Sequence, residues 1–176
     1  AATGEGTAFD VPGALETVLT DINDAGRMSG YFLDSSGELQ GILVAPDGSF
    51  QITEAPVNRL LGISASGNTI GLTGPGAYVA ASPSVRALLF SLCAAGEKAG
   101  INDRGEVATP CRYAHPSGRT IDLTNLFGSL FFGINNGGVI VGVNEGQGAI
   151  HEACPAATLT TASATVPADG ATGRIN

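Results

Sequence analysis

Tryptophan is absent from this 176-residue chain, methionine occurs once, histidine twice and cysteine three times. Two histidines leave a serine or cysteine nucleophile little to work with, and no Gly-x-Ser-x-Gly turn occurs. Lysine and arginine number 8 against 16 acids, a net charge of -8 with no basic cluster. Nucleic acid and anionic membrane surfaces are therefore poor partners, and no nucleic acid is expected. Hydrophobic residues reach 43% of the chain but never run uninterrupted for the roughly 18 positions that a helical membrane span needs, so no membrane insertion is expected. Helices should be scarce, because 26 glycines and 9 prolines break them and the β-branched residues prefer strands.

What the chain has is repetition. The stretch Ile22-Asn23-Asp24-Ala25-Gly26 returns as Ile63-Ser64-Ala65-Ser66-Gly67, as Ile101-Asn102-Asp103-Arg104-Gly105 and as Ile134-Asn135-Asn136-Gly137-Gly138. Each copy has an aliphatic anchor, a glycine four residues on and a small residue eight on: Gly30, Gly71, Thr109 and Gly142. An Asn or Ser side chain can hydrogen-bond the backbone two residues ahead, and glycine accepts positive φ, so each copy predicts a tight turn between antiparallel strands. A period near 40 residues with about four strands per unit predicts sheets that cannot bury both faces alone and must stack on neighbours. The fold class expected is all-β, one small β-propeller-like domain of about four units, 7–58, 59–97, 98–129 and 130–176. An open β-solenoid-like arc and a β-sandwich are the alternatives. Thr7 to Ala14 reads as a strand ending at Pro12-Gly13. The third unit is the shortest, so one of its strands is expected to be missing or merged.

Cys93, Cys111 and Cys154 allow one disulfide, with Cys93 to Cys111 the first pairing and Cys111 to Cys154 the alternative. His151 and Cys154 offer a nitrogen and a sulfur three apart, but zinc sites take four ligands and the other histidine, His115, lies beside a proline; no metal and no cofactor is expected. Paired carboxylates could serve a hydrolase, the least favoured reading, because Asp24, Asp34, Asp47 and Asp103 stand where an acceptor oxygen caps a turn. Tyr31, Tyr78 and Tyr113 are the candidate aromatic platforms for an extracellular glycan.

The residues Asp21 to Tyr31, Asp34 to Gly37, Asp47 to Phe50 and Asp10-Val11-Pro12-Gly13-Ala14 resemble the units of the HAF-repeat proteins, bacterial extracellular β-repeats. The His-Ala-Phe triplet is replaced by Gln40-Gly41-Ile42, Arg86-Ala87-Leu88 and Gln147-Gly148-Ala149. The resemblance implies an exported, propeller-like protein and supplies no catalytic residues. Low charge and a start at Ala1-Ala2-Thr3 predict a mature secreted chain at or beyond the cell surface.

The two ends of the chain read alike. Phe9, Val11 and Pro12 lead to Ile22-Asn23, and Val166 and Pro167 lead to Ile175-Asn176. A duplicated terminal strand predicts head-to-tail self-association by strand exchange, the role of a structural subunit in a homo-oligomer or filament. A carbohydrate- or protein-binding module is the alternative.

Overall fold

The computed structural model describes residues 6–73, 77–82, 85–91, 98–124, 130–144 and 147–152. Among them the chain is all-β, with no helix. The first sheet comprises β1 (Glu16–Ile22), β2 (Met28–Leu33), β3 (Leu39–Val44) and β4 (Phe50–Ile52). The second comprises β5 (Val57–Ile63), β6 (Thr69–Thr73), β7 (Ala77–Ser82) and β8 (Val85–Ser91). The third comprises β9 (Gly100–Ile101), β10 (Val107–Thr109), β11 (Arg112–Ala114) and β12 (Thr120–Asp122). The fourth comprises β13 (Leu130–Ile134), β14 (Val139–Asn144) and β15 (Gln147–Glu152). Each is an antiparallel meander in chain order. The third unit therefore keeps all four strands and is short because each holds only two or three residues.

The anchor turns join the first two strands of every sheet. Their glycines, Gly26, Gly67, Gly105 and Gly138, take φ of 73, 85, 75 and 80°, a region that costs a residue with a Cβ about 1–2 kcal/mol. Asn23 Oδ1 accepts Ala25 N at 3.1 Å and Arg27 N at 3.0 Å, and Asn102 and Asn135 repeat the pattern in their own turns.

The small residue eight beyond the anchor has a steric cause. The pairing of the first two strands is irregular at Leu19/Asp21, Leu60/Gly62 and Phe131/Gly133, one bulge in the same place in three sheets. That bulge drives the carbonyl four residues before the anchor against the second strand. A Cβ on Gly30, Gly71 or Gly142 would strike the carbonyl oxygen of Val18, Arg59 or Leu130. In the third sheet β9 pairs only with Val107 and Ala108 and stops short of Thr109, so a side chain fits there.

The sheets pack in series, and the first strand of each lies on the sheet before it: β5 on β1, β2 and β3, β9 on β5 and β6, β13 on β9 and β10. Ile70, Leu72, Tyr78, Ile101 and Val107 fill one layer, and Ala108, Tyr113, Leu123, Phe131 and Ile140 the next. Burying a side chain such as Phe131 contributes about 1.5–3 kcal/mol. The arrangement is propeller-like, with the four first strands innermost.

Residues 6–14 form no strand, contrary to the alternating pattern of Thr7 to Ala14. Phe9, Val11 and Ala14 instead lie over Phe32, Ile42, Val44 and Phe50, with Val11 only 5% exposed. This segment covers the apolar face of the first sheet that no other described strand covers. Pro12 sits in the turn closed by Ala14 N to Val11 O.

Candidate functional site

The bulges have a second effect: they turn the residue two before each anchor toward the axis. Thr20, Leu61 and Phe132, joined by Ala99 at the equivalent place, line a cavity of about 520 Å³ among the four first strands. Its charged groups are Asp21 and Lys98. Asp21 is engaged in structure, since Oδ1 accepts Ile22 N and Oδ2 accepts Ile63 N of the next sheet, both at 2.9 Å. Lys98 stands where the other units have Leu19, Leu60 and Phe131, and its ammonium lies 4.9 Å from the centre of the Phe132 ring.

A polar cluster occupies the third anchor turn. Glu106 is 2% exposed, a position a carboxylate tolerates only with partners. Its Oε2 accepts Asn102 Nδ2 at 2.6 Å and Arg104 Nη2 at 2.6 Å, and its Oε1 accepts the Tyr113 hydroxyl at 2.9 Å. Burial pushes the Glu106 carboxyl up, yet these donors outweigh it and hold the group below its ordinary range. Burial, then the Glu106 charge, pushes the Tyr113 phenol above its usual range. His115 Nε2 is 4.0 Å from Glu106 Oε1, while its Nδ1 accepts Ser117 N at 3.1 Å. The cluster joins strand to turn and exposes no nucleophile beside a base.

A third feature runs through all four turns. Asn23 Nδ2 donates to Ser64 O at 3.0 Å, Asn68 Nδ2 to Asn102 O at 3.1 Å, and Asn102 Nδ2 to Asn135 O at 3.0 Å. Asp103 joins both neighbours, accepting Ser66 N at 2.6 Å and Asn136 Nδ2 at 2.6 Å. The turn residues singled out in the sequence, Ile22, Asn23, Gly26, Ile63, Gly67, Ile101, Asn102, Gly105, Ile134, Asn135 and Gly138, are thus brought into one file, each turn hydrogen-bonded to the next. Local spacing shows each turn but not the relay, whose partners lie 33 to 41 residues apart.

The other candidates separate. Tyr78 and Tyr113, expected as exposed platforms, are 0% and 4% exposed and belong to the core; only Tyr31 is half-buried. Asp34, Asp47 and Asp122 accept hydrogen bonds from hydroxyls and backbone amides, and Asp103 from the Ser66 amide and Asn136 Nδ2, which hold all four carboxyls below the ordinary range. His151 packs edge-on against Phe131, ring centres 4.9 Å apart, and burial pushes its imidazole down. Among the described residues no three His, Cys, Asp or Glu side chains gather to hold a metal. Cys111 is disulfide-bonded; it lies in the turn between β10 and β11, not in a strand. Both possible partners, Cys93 and Cys154, lie outside the described residues, as do Val166, Pro167 and Ile175.

No protein-family model matches this chain, and no curated protein does. A solved structure titled "Streptogramin B lyase structure" is similar at 14% identity and a TM-score of 0.46, over 84% of this chain. The match spans 58% of that longer chain, and a likeness at this level says nothing of activity.

Proposed function

We propose that the domain is a non-enzymatic structural module, exported and self-associating, whose product is the surface it builds. One observation carries the reading: each sheet is stitched to the next by the turn relay, and among the described residues both ends of the series present exposed aliphatic side chains, with Ile22 62% and Val141 46% exposed. Exposed aliphatic faces at both ends of a repeating stack favour association. The non-enzymatic half draws support from the carboxylates. A hydrolase of the paired-carboxylate kind needs one acid held protonated near neutrality, whereas every displacement resolved for a described carboxyl is downward. Export rests on the HAF-repeat resemblance.

Strand exchange as the route of association loses ground to face packing, because Phe9 and Val11 are seated on the first sheet of their own chain. A binding module is the second reading, favoured by the axial cavity with Lys98 at its wall. Light scattering over a concentration series, with electron microscopy, tests the first: mass should rise with concentration. A mass of one chain throughout, together with glycan binding lost in Lys98→Ala, would replace it with the second.

A further inference from the structure

We propose that the last sheet of one copy receives the first strand of a second copy, with Asn135 Nδ2 donating to the Asn23 carbonyl across the junction. This rests on the self-association reading and names its contact. The three junctions inside the chain are the template, because in each the first strand of one sheet lies on the inner strands of the sheet before it.

Position by position, the two ends lack what the internal junctions have. Seven residues beyond the anchor, the side chain faces the following sheet: Ser29, Ile70 and Ala108 are all 0% exposed, but Val141, with no following sheet among the described residues, is 46% exposed. On the same face Val143 and Ile150 are 39% and 46% exposed. Three residues before the anchor, the side chain faces the preceding sheet. Leu60 and Phe131 are 2% and 0% exposed there, and Leu19 is 39% exposed. The anchors agree, with Ile63 and Ile101 at 5% and 9% but Ile22 at 62%. The segment over the first sheet rests on β2, β3 and β4 and leaves these β1 residues open.

The hydrogen bonds lack matching halves. Ser64 O, Asn102 O and Asn135 O each accept two donors, the glycine N–H of their own turn and an asparagine amide of the preceding turn. Among the described residues Asn23 O has only Gly26 N. Asn135 Oδ1 is held by Gly137 N and Val139 N, and its Nδ2 meets no carbonyl among those residues. Donor and apolar floor at one end answer acceptor and apolar strand at the other. Ile22 and Val141 are both exposed, so the first and last of the described sheets do not cover each other, and a second copy is the occupant these surfaces fit. The contact is heterologous, so it builds an open polymer where its rotation does not close and a ring where it does.

Sedimentation velocity on the full chain tests this, with circular dichroism to confirm folding. Ile22→Lys and Val141→Glu, both at exposed positions, should each leave monomers. Mixed in equal amounts they should give a 1:1 dimer that grows no further, since one keeps an intact last sheet and the other an intact first strand. Asn135→Asp keeps Oδ1 for its own turn but sets a charged oxygen against the Asn23 carbonyl in place of the donor, and should weaken association by at least about tenfold, more than the worth of one net hydrogen bond. Unchanged association in both single variants would overturn this contact and leave the self-association reading standing. Folded variants whose mixture stays monomeric would overturn the head-to-tail arrangement. A wild-type chain that is monomeric at every concentration would overturn both.

Discussion

Glu106 and His151 are two ionisable side chains drawn into the packed layers, and they tie the fold to pH in the same direction. The folded chain holds the Glu106 carboxyl below its ordinary 4.5, so the unfolded chain takes up the proton first. Its contribution is whole above that value and fades as pH falls toward the folded one. Burial likewise holds His151 below its ordinary 6.5, and its contribution begins to fade as pH falls through 6.5. Thermal unfolding followed from pH 8 to pH 3 should show stability declining in two stages; His151→Phe should flatten the upper stage, and Glu106→Gln should reduce the lower, which Asp34, Asp47, Asp103 and Asp122 share. Tyr113→Phe removes the donor to Glu106 Oε1 and should cost about 1–2 kcal/mol by urea denaturation. None of this cluster was legible in the sequence, where Glu106 reads only as a polar residue after a turn. Its partners Arg104 and Tyr113 are near in sequence, but burial is conferred by the neighbouring sheets.

At the scale of the element, the strand and turn pattern was legible because it is local. Asn or Ser after the anchor, glycine four on and alternation on either side placed all four anchor turns, and the capping carboxylates Asp34 and Asp47 placed two more, closed by Gly37 and Gly48 at positive φ. Thr7 to Ala14 misled because alternation records only which side chains are buried, and Phe9 and Val11 are buried without a strand partner. The small residue eight beyond the anchor was visible as a regularity, whereas its cause, the bulge opposite, required the paired strand. Gly142→Ala places a Cβ on the Leu130 carbonyl, so it should destabilise by about 1–3 kcal/mol, the usual cost of overpacking. Thr109→Ala meets no such carbonyl; its loss is the hydroxyl that accepts Arg112 N and donates to Arg112 O, about 1 kcal/mol. Chemical denaturation of the pair checks the order.

For the whole molecule, sequence gave the number of units, but which faces end up covered depends on packing that no single unit contains. One disulfide through Cys111 should leave one thiol per denatured, unreduced chain, and a peptide map should join Cys111 to Cys93 or to Cys154. Reduction should lower stability by about 2–4 kcal/mol. The three amide-to-carbonyl rungs between turns all point from the earlier unit to the later. A molecule wired that way has a polarity, like an arrow: one tip offers an amide hydrogen-bond donor and the other a carbonyl acceptor. A polymer of such arrows has two unlike growing tips. A trace of Ile22→Lys copies, joining only through the last sheet, would therefore act as chain terminators at one tip alone, and their mole fraction would set the mean polymer length.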